Sequence, residues 1–205
     1  HSPHLPRKSK VSYLACVKCR QSIYFNQVVY LVVGADLSEN SIAEANKNQN
    51  KTLHFQVHDM RETFEDKFDA IFNLFTSFGY FENDEDNLTT LKAMKESLTE
   101  HGFAVIDFMN VNQVIGNLVP AEVKTVENID FHIKRYVSDG HIYKEIDFED
   151  QGNKFHFTEK VKALTLKDFQ EMMEEAGIYL LDIFGDYKLK KFHKTESERL
   201  IMIFK

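Results

Sequence analysis

Across its first hundred or so residues the chain alternates five short apolar runs with segments that carry helix caps or helical stripes. Such alternation closes up as a parallel sheet with helices packed on its faces. The runs occupy residues 11–16, 30–35, 53–57, 68–72 and 103–108. Residues 20–28 read as the helix after the first run, and Ser38 as the N-cap of a helix reaching about Asn48, with Ile42 and Ala45 inward. After the fourth run, a helix over residues 84–99 carries Leu88, Leu91, Met94 and Leu98 on one stripe, and Gly102 turns the chain into the fifth.

The carboxyl ends of the first four runs all carry polar groups: residues 13–19, Asp36, Asp59 and Asn73. Doubly wound sheets bind their ligands across these ends. The stretch Val32-Val33-Gly34-Ala35-Asp36-Leu37-Ser38 is an apolar strand that stops on a carboxylate just before a helix cap, the arrangement that presents an acid to a ribose. One carboxylate can accept from both hydroxyls of the diol, and a charge-assisted hydrogen bond contributes about 1.5–3 kcal/mol. Taken singly, Asp36 also reads as a surface residue of a strand-to-helix turn, Asp59 as a turn cap and Asn73 as a strand-end hydrogen bonder. Their convergence on one edge favours a ligand site.

Beyond Val123 the period changes to two. Three strands over residues 131–137, 141–148 and 154–161, with turns at Ser138-Asp139-Gly140 and Asp150-Gln151-Gly152-Asn153, read as a three-stranded antiparallel insertion. Thr165 with Asp168 forms a capping box for a helix whose inner face is Leu166, Phe169, Met172, Met173 and Ala176, ended by Gly177. Two last strands, residues 178–184 and 200–204, are joined by a lysine-rich tip at 188–194.

A net charge of -7 disfavours nucleic acid as a partner, and no apolar stretch approaches the roughly 20 residues that span a bilayer. These features, with only two cysteines, Cys16 and Cys19, lead us to expect a soluble cytoplasmic protein whose residues 1–10 are a tail. Oligomeric state is not legible in the sequence.

On these residues the chain resembles the class I S-adenosylmethionine-dependent methyltransferases from about Val11 to its end. The resemblance implies a methyltransferase domain over residues 11–205: a Rossmann-like, seven-stranded, doubly wound sheet with an antiparallel last strand. It also implies that the β-rich insertion, residues 110–163, is a lid or substrate-selecting sheet. The implied reaction moves a methyl group from S-adenosylmethionine to a small-molecule acceptor by in-line displacement, without a metal, leaving S-adenosylhomocysteine. By the same resemblance Asp36 binds the ribose, Leu37 packs beside the adenine, and Asp59 with Met60 contacts the adenine, the carboxylate accepting from its amino group. Asn73, Leu74 and Phe75 then face the methionine part and the transferred methyl.

The loop after the first strand, to which the resemblance assigns Tyr13, Ala15 and Val17 as cofactor contacts, departs from the family. Many members read acid-Leu-Ala-Cys-Gly-x-Gly-Arg, whereas this chain reads Tyr13-Leu14-Ala15-Cys16-Val17-Lys18-Cys19-Arg20. Glycine serves such loops because the backbone nears the ligand and can need positive φ, which costs a residue with a β-carbon about 1–2 kcal/mol. Asp to Tyr, Gly to Val and Gly to Cys are each one base change. Three readings stay open: a fold that binds cofactor weakly or not at all, a loop adapted to another geometry, or an altered sequence at these positions. The functional alternative is a non-catalytic binding or scaffold protein on the same fold.

Other constellations carry less. Cys16-Val17-Lys18-Cys19 has thiol-disulfide spacing, but Pro120 is the only proline after Pro6 and the chain is long for a thioredoxin-like domain. The histidines, His54, His132, His141 and His156 among them, are scattered along strands rather than spaced as zinc ligands. A nicotinamide dehydrogenase would also use Asp36 but needs G-x-G-x-x-G after the first strand. The aromatic loop at residues 75–81 suits either a buried segment or a wall around a cationic ligand. Asn73-Leu74-Phe75-Thr76 lacks the Pro-Pro-aromatic signature of base-amino methylation, which argues against nucleobase acceptors. A general base is optional for such a transfer; Tyr80, His132 and His141 are the candidates.

Overall fold

The computed structural model describes residues 5, 6, 8–16, 20–28 and 30–205. Val17, Lys18 and Cys19, and with them two of the loop positions that depart from the family motif, lie outside the described residues. The main sheet has seven strands: β1 (Lys10–Leu14), β2 (Leu31–Asp36), β3 (Leu53–Val57), β4 (Phe68–Asn73), β5 (Leu98–Met109), β10 (Leu180–Phe184) and β11 (Arg199–Phe204), in the order β10-β11-β5-β4-β1-β2-β3. β1 to β5 pair in parallel, and β11 runs antiparallel to both β5 and β10.

The period of two divides the apolar residues between two faces. Leu14, Ile71, Ile106 and Met202 lie in one core with Leu91 and Met94 of α3 (Asp84–Glu96) and Phe169 and Met173 of α5 (Leu166–Glu175). Tyr13, Val32, Leu53 and Phe55 form another with Ile42 and Ala45 of α2 (Glu39–Ala45), while Phe25 of α1 (Arg20–Gln27) packs against it. Gly34 makes this second layer possible: a β-carbon there would lie 2.6 Å from the Phe55 ring and 2.9 Å from Ser22 Oγ. No helix among the described residues is long and apolar enough to cross a membrane.

Several boundaries differ from the sequence expectation. The helix after β4 stops at Glu96 rather than Thr99, because β5 begins at Leu98 and bulges before regaining register at Ala70↔Phe103. Gly102 therefore sits inside a strand, where a β-carbon would come 2.8 Å from the Phe68 carbonyl oxygen. A short helix, α4 (Val111–Gly116), follows β5.

The insertion has four strands and not three: β6 (Ala121–Val126), β7 (Ile129–Ser138), β8 (His141–Asp150) and β9 (Asn153–Lys162). Two of its turns are the expected ones, with positive φ at Asp139-Gly140 and Gln151-Gly152. The third uses Glu127 and Asn128 at φ 50 and 66, a type I′ geometry without glycine, so the usual mark of the turn is missing. Phe131, Ile133, Arg135 and Val137 of β7 share one face with Ile142, Lys144, Ile146 and Phe148 of β8 and Phe155, Phe157, Glu159 and Val161 of β9. Ile142 and Val161 join the main core, which docks this face on the larger sheet.

The capping box of α5 is formed as expected: Thr165 Oγ1 accepts from the Asp168 amide, and Asp168 Oδ2 accepts from the Thr165 amide at 2.7 Å. Thr165→Ala is expected to cost about 1 kcal/mol, a melting shift of about 2–4 °C by circular dichroism.

Candidate cofactor site

Asp36 closes β2 and is buried at 9% exposure, its Oδ1 accepting from the Ser38 amide at 2.9 Å. Ser38 in turn caps α2, accepting from the Ser41 amide. The carboxylate is thus fixed at the strand end by the turn that starts the helix, while Leu37 projects into solvent.

On the outer neighbour, β3, the chain runs through His58 into Asp59, whose two oxygens are both engaged by Arg61. Nη2 meets Oδ2 at 2.6 Å, and Nε lies 3.0 and 3.1 Å from Oδ1 and Oδ2. Arg61 also reaches Asp86 of α3 at 3.1 Å and lies over the Phe81 ring. The guanidinium holds the Asp59 carboxyl below its ordinary range. Any adenine amino group there would share this carboxylate with Arg61, a neighbour invisible in the motif reading.

On the other side of β1, Asn73 closes β4 fully buried. Its Nδ2 lies 3.7 Å from Met60 Sδ, and its Oδ1 has no hydrogen-bond partner. An orphaned buried acceptor costs about 1–3 kcal/mol and calls for a donor.

Tyr13 stands at the motif position where many members of the resembled family carry an acid. Only 2% exposed, it packs with Cys16, Val32 and Phe55, its ring 6.5 Å from that of Phe25. Burial, reinforced by the Asp107 and Tyr187 side chains, pushes its phenol up and keeps it neutral. The left-handed residue where this loop leaves β1 is Ala15, at φ 52, with the Cys16 amide donating to the Ala35 carbonyl at 3.1 Å.

A hydrogen-bond network around a buried carboxylate escaped the sequence reading. Asp107 of β5 is 1% exposed and accepts from Arg199 Nε at 2.7 Å, the Tyr187 hydroxyl at 2.9 Å and the Phe75 amide at 2.9 Å. The signal was available: a carboxylate inside Phe103-Ala104-Val105-Ile106-Asp107-Phe108 must find a cation or donors in the core. Burial, and after it the Asp107 charge, pushes the Tyr187 phenol up to about 12. From pH 10, where an ordinary tyrosine ionises, to about 12, the unfolded chain releases this proton and the folded one keeps it. Stability is therefore expected to fall as pH rises through that window, and Tyr187→Phe to remove one late step from an ultraviolet tyrosine titration.

Residues 11–102 match the family model described as a methyltransferase domain. Over 220 aligned positions the chain is 23% identical to YqeM of Bacillus subtilis (strain 168), whose name assigns it provisionally to the methyltransferases; the match covers 96% of this chain and 83% of YqeM. An S-adenosylmethionine-dependent methyltransferase from Clostridium acetobutylicum ATCC 824 superimposes with a TM-score of 0.84 at 20% identity, over 96% of this chain and 83% of that one. The chain carries the fold of the class I S-adenosylmethionine-dependent methyltransferases. CalS10 from Micromonospora echinaspora, an amino pentose methyltransferase solved with S-adenosylmethionine bound, shares it with a TM-score of 0.73 at 14% identity, over 96% of this chain and 83% of its own.

Within this methyltransferase fold the three general-base candidates are not brought together. Tyr80 lies near Glu159, on the face of the insertion that docks on the core. His132 and His141 alternate with Ile133 and Ile142 and so belong to the opposite face. His141 Nδ1 lies 2.8 Å from the Asp139 carbonyl oxygen. Burial, with help from Glu159, raises the Tyr80 phenol. Among the described residues no group of three or more His, Cys, Asp or Glu side chains is arranged to hold a metal ion.

Proposed function

We propose that the chain is a methyltransferase that uses S-adenosylmethionine and acts on a small-molecule acceptor. The observation that carries this reading is the buried Asp36 carboxylate at the end of β2, with Asp59 just beyond the end of neighbouring β3 and the orphaned Asn73 Oδ1 at the end of β4, on the far side of β1. The residues fit the cofactor: Asp36 accepts from the ribose hydroxyls, Asp59 and Met60 border the adenine, and Asn73 receives a donor it otherwise lacks. When bound, the cofactor supplies an electrophilic methyl group on a sulfonium. The chain's own part is then alignment and exclusion of water, which in well-oriented reactions supply about 7–11 kcal/mol of the barrier. Leu74 and Phe75 stand after β4, beside the methionine part and the transferred methyl, and the docked face of the insertion, with Tyr80 and Glu159, serves as a lid.

The small-molecule acceptor is supported by relatives such as CalS10 and by the net charge of -7, which repels phosphate backbones. Isothermal calorimetry with S-adenosylmethionine and S-adenosylhomocysteine tests the reading. Saturable heat at micromolar to millimolar ligand is expected; none at millimolar ligand would sink the enzyme reading and leave the scaffold alternative.

A further inference from the structure

Phe75 and Thr76 stand side by side at φ 60, just beyond the end of β4. Residues with a β-carbon avoid this region, and β-branched ones such as Thr most of all. The turn does not exist to bury its aromatic, since the Phe75 ring is 52% exposed. It is instead tied down from beneath. The Phe75 amide donates to Asp107 Oδ2 at 2.9 Å, the Thr76 amide to the Asp107 carbonyl at 2.9 Å, and Arg199 Nη2 to Thr76 Oγ1 at 2.9 Å. The Tyr187 hydroxyl shares Asp107 Oδ2, and its ring lies 6.2 Å from that of Phe75. Strained backbone held in place by its surroundings clusters at ligand-binding sites.

We propose that Asp107 is a positioning residue: with Arg199 and Tyr187 it holds the left-handed Phe75–Thr76 turn as a wall for the amino-acid half of S-adenosylmethionine. The inference rests on the cofactor reading above. With the ribose at Asp36 of β2 and the adenine toward β3, the ends of β1 and β4 remain for the other half of the ligand, and Phe75 lies two residues beyond the end of β4. That half carries an ammonium group and, before transfer, the sulfonium, both of which aromatic faces attract.

The test compares S-adenosylhomocysteine with 5′-methylthioadenosine, which keeps the adenosine and sulfur but lacks the amino-acid carbons. Tyr187→Phe and Thr76→Val each delete one hydrogen-bonding group at nearly constant shape and leave the Asp107–Arg199 pair in place; Asp107→Asn probes the carboxylate itself. Calorimetry is expected to show S-adenosylhomocysteine weakened about five-fold in each variant, with 5′-methylthioadenosine unchanged. Equal losses for both ligands, or none for either, would overturn the positioning role while wild-type binding upholds the cofactor reading. Failure of the wild type to bind S-adenosylhomocysteine would overturn both.

Discussion

Asp36→Ala is expected to weaken S-adenosylhomocysteine about ten- to a hundred-fold, the equivalent of one charge-assisted hydrogen bond to the ribose. The carboxylate also accepts from the Ser38 amide, so its removal loosens the turn that starts α2 as well. The two effects separate with Asp36→Asn, which keeps an oxygen acceptor for Ser38 but loses the charge. The asparagine variant should melt close to wild type and still lose most of its affinity. A variant that binds normally despite the lost charge would move the ribose away from β2.

How far this site was legible follows from what kind of physics set each part. The placement of Asp36, Asp59 and Asn73 at or just beyond strand ends could be read because strand ends are local: an apolar run and the residues that close it lie within a few positions. The five parallel strands followed from the same local pattern, and so did the glycine-bearing hairpin turns. β6 was missed because it bears exposed valines and turns through Glu127-Asn128 without glycine. The partners of these residues were not legible. Arg61 closes on Asp59 from only two positions away, but whether such an arginine turns toward its neighbour or toward solvent depends on Asp86 and Phe81, which come from α3 and the loop before it. Asp107 and Arg199 are separated by 92 positions and meet only because β11 inserts beside β5. Tyr13 was legible only as a motif position; that it packs with Cys16, Val32 and Phe55 depends on strands that the local pattern does not bring together.

Asp107→Ala is expected to destabilise the fold by about 3–5 kcal/mol, the cost of breaking a buried ion pair from one side. Arg199 Nε, the Phe75 amide and the Tyr187 hydroxyl would all lose their acceptor, and the two left-handed residues would lose the tie that holds them. At this chain length the loss corresponds to a melting point lower by about 6–20 °C in differential scanning calorimetry. Replacing both charges by apolar groups of similar size, as in Asp107→Leu with Arg199→Met, removes the uncompensated guanidinium and should recover much of the stability. It cannot restore the acceptor beneath Phe75. The double variant is therefore expected to melt well above Asp107→Ala while S-adenosylhomocysteine stays weakened, which separates what the ion pair does for folding from what it does for the turn. Recovery of affinity together with stability would mean that Asp107 acts on the site only by keeping the protein folded.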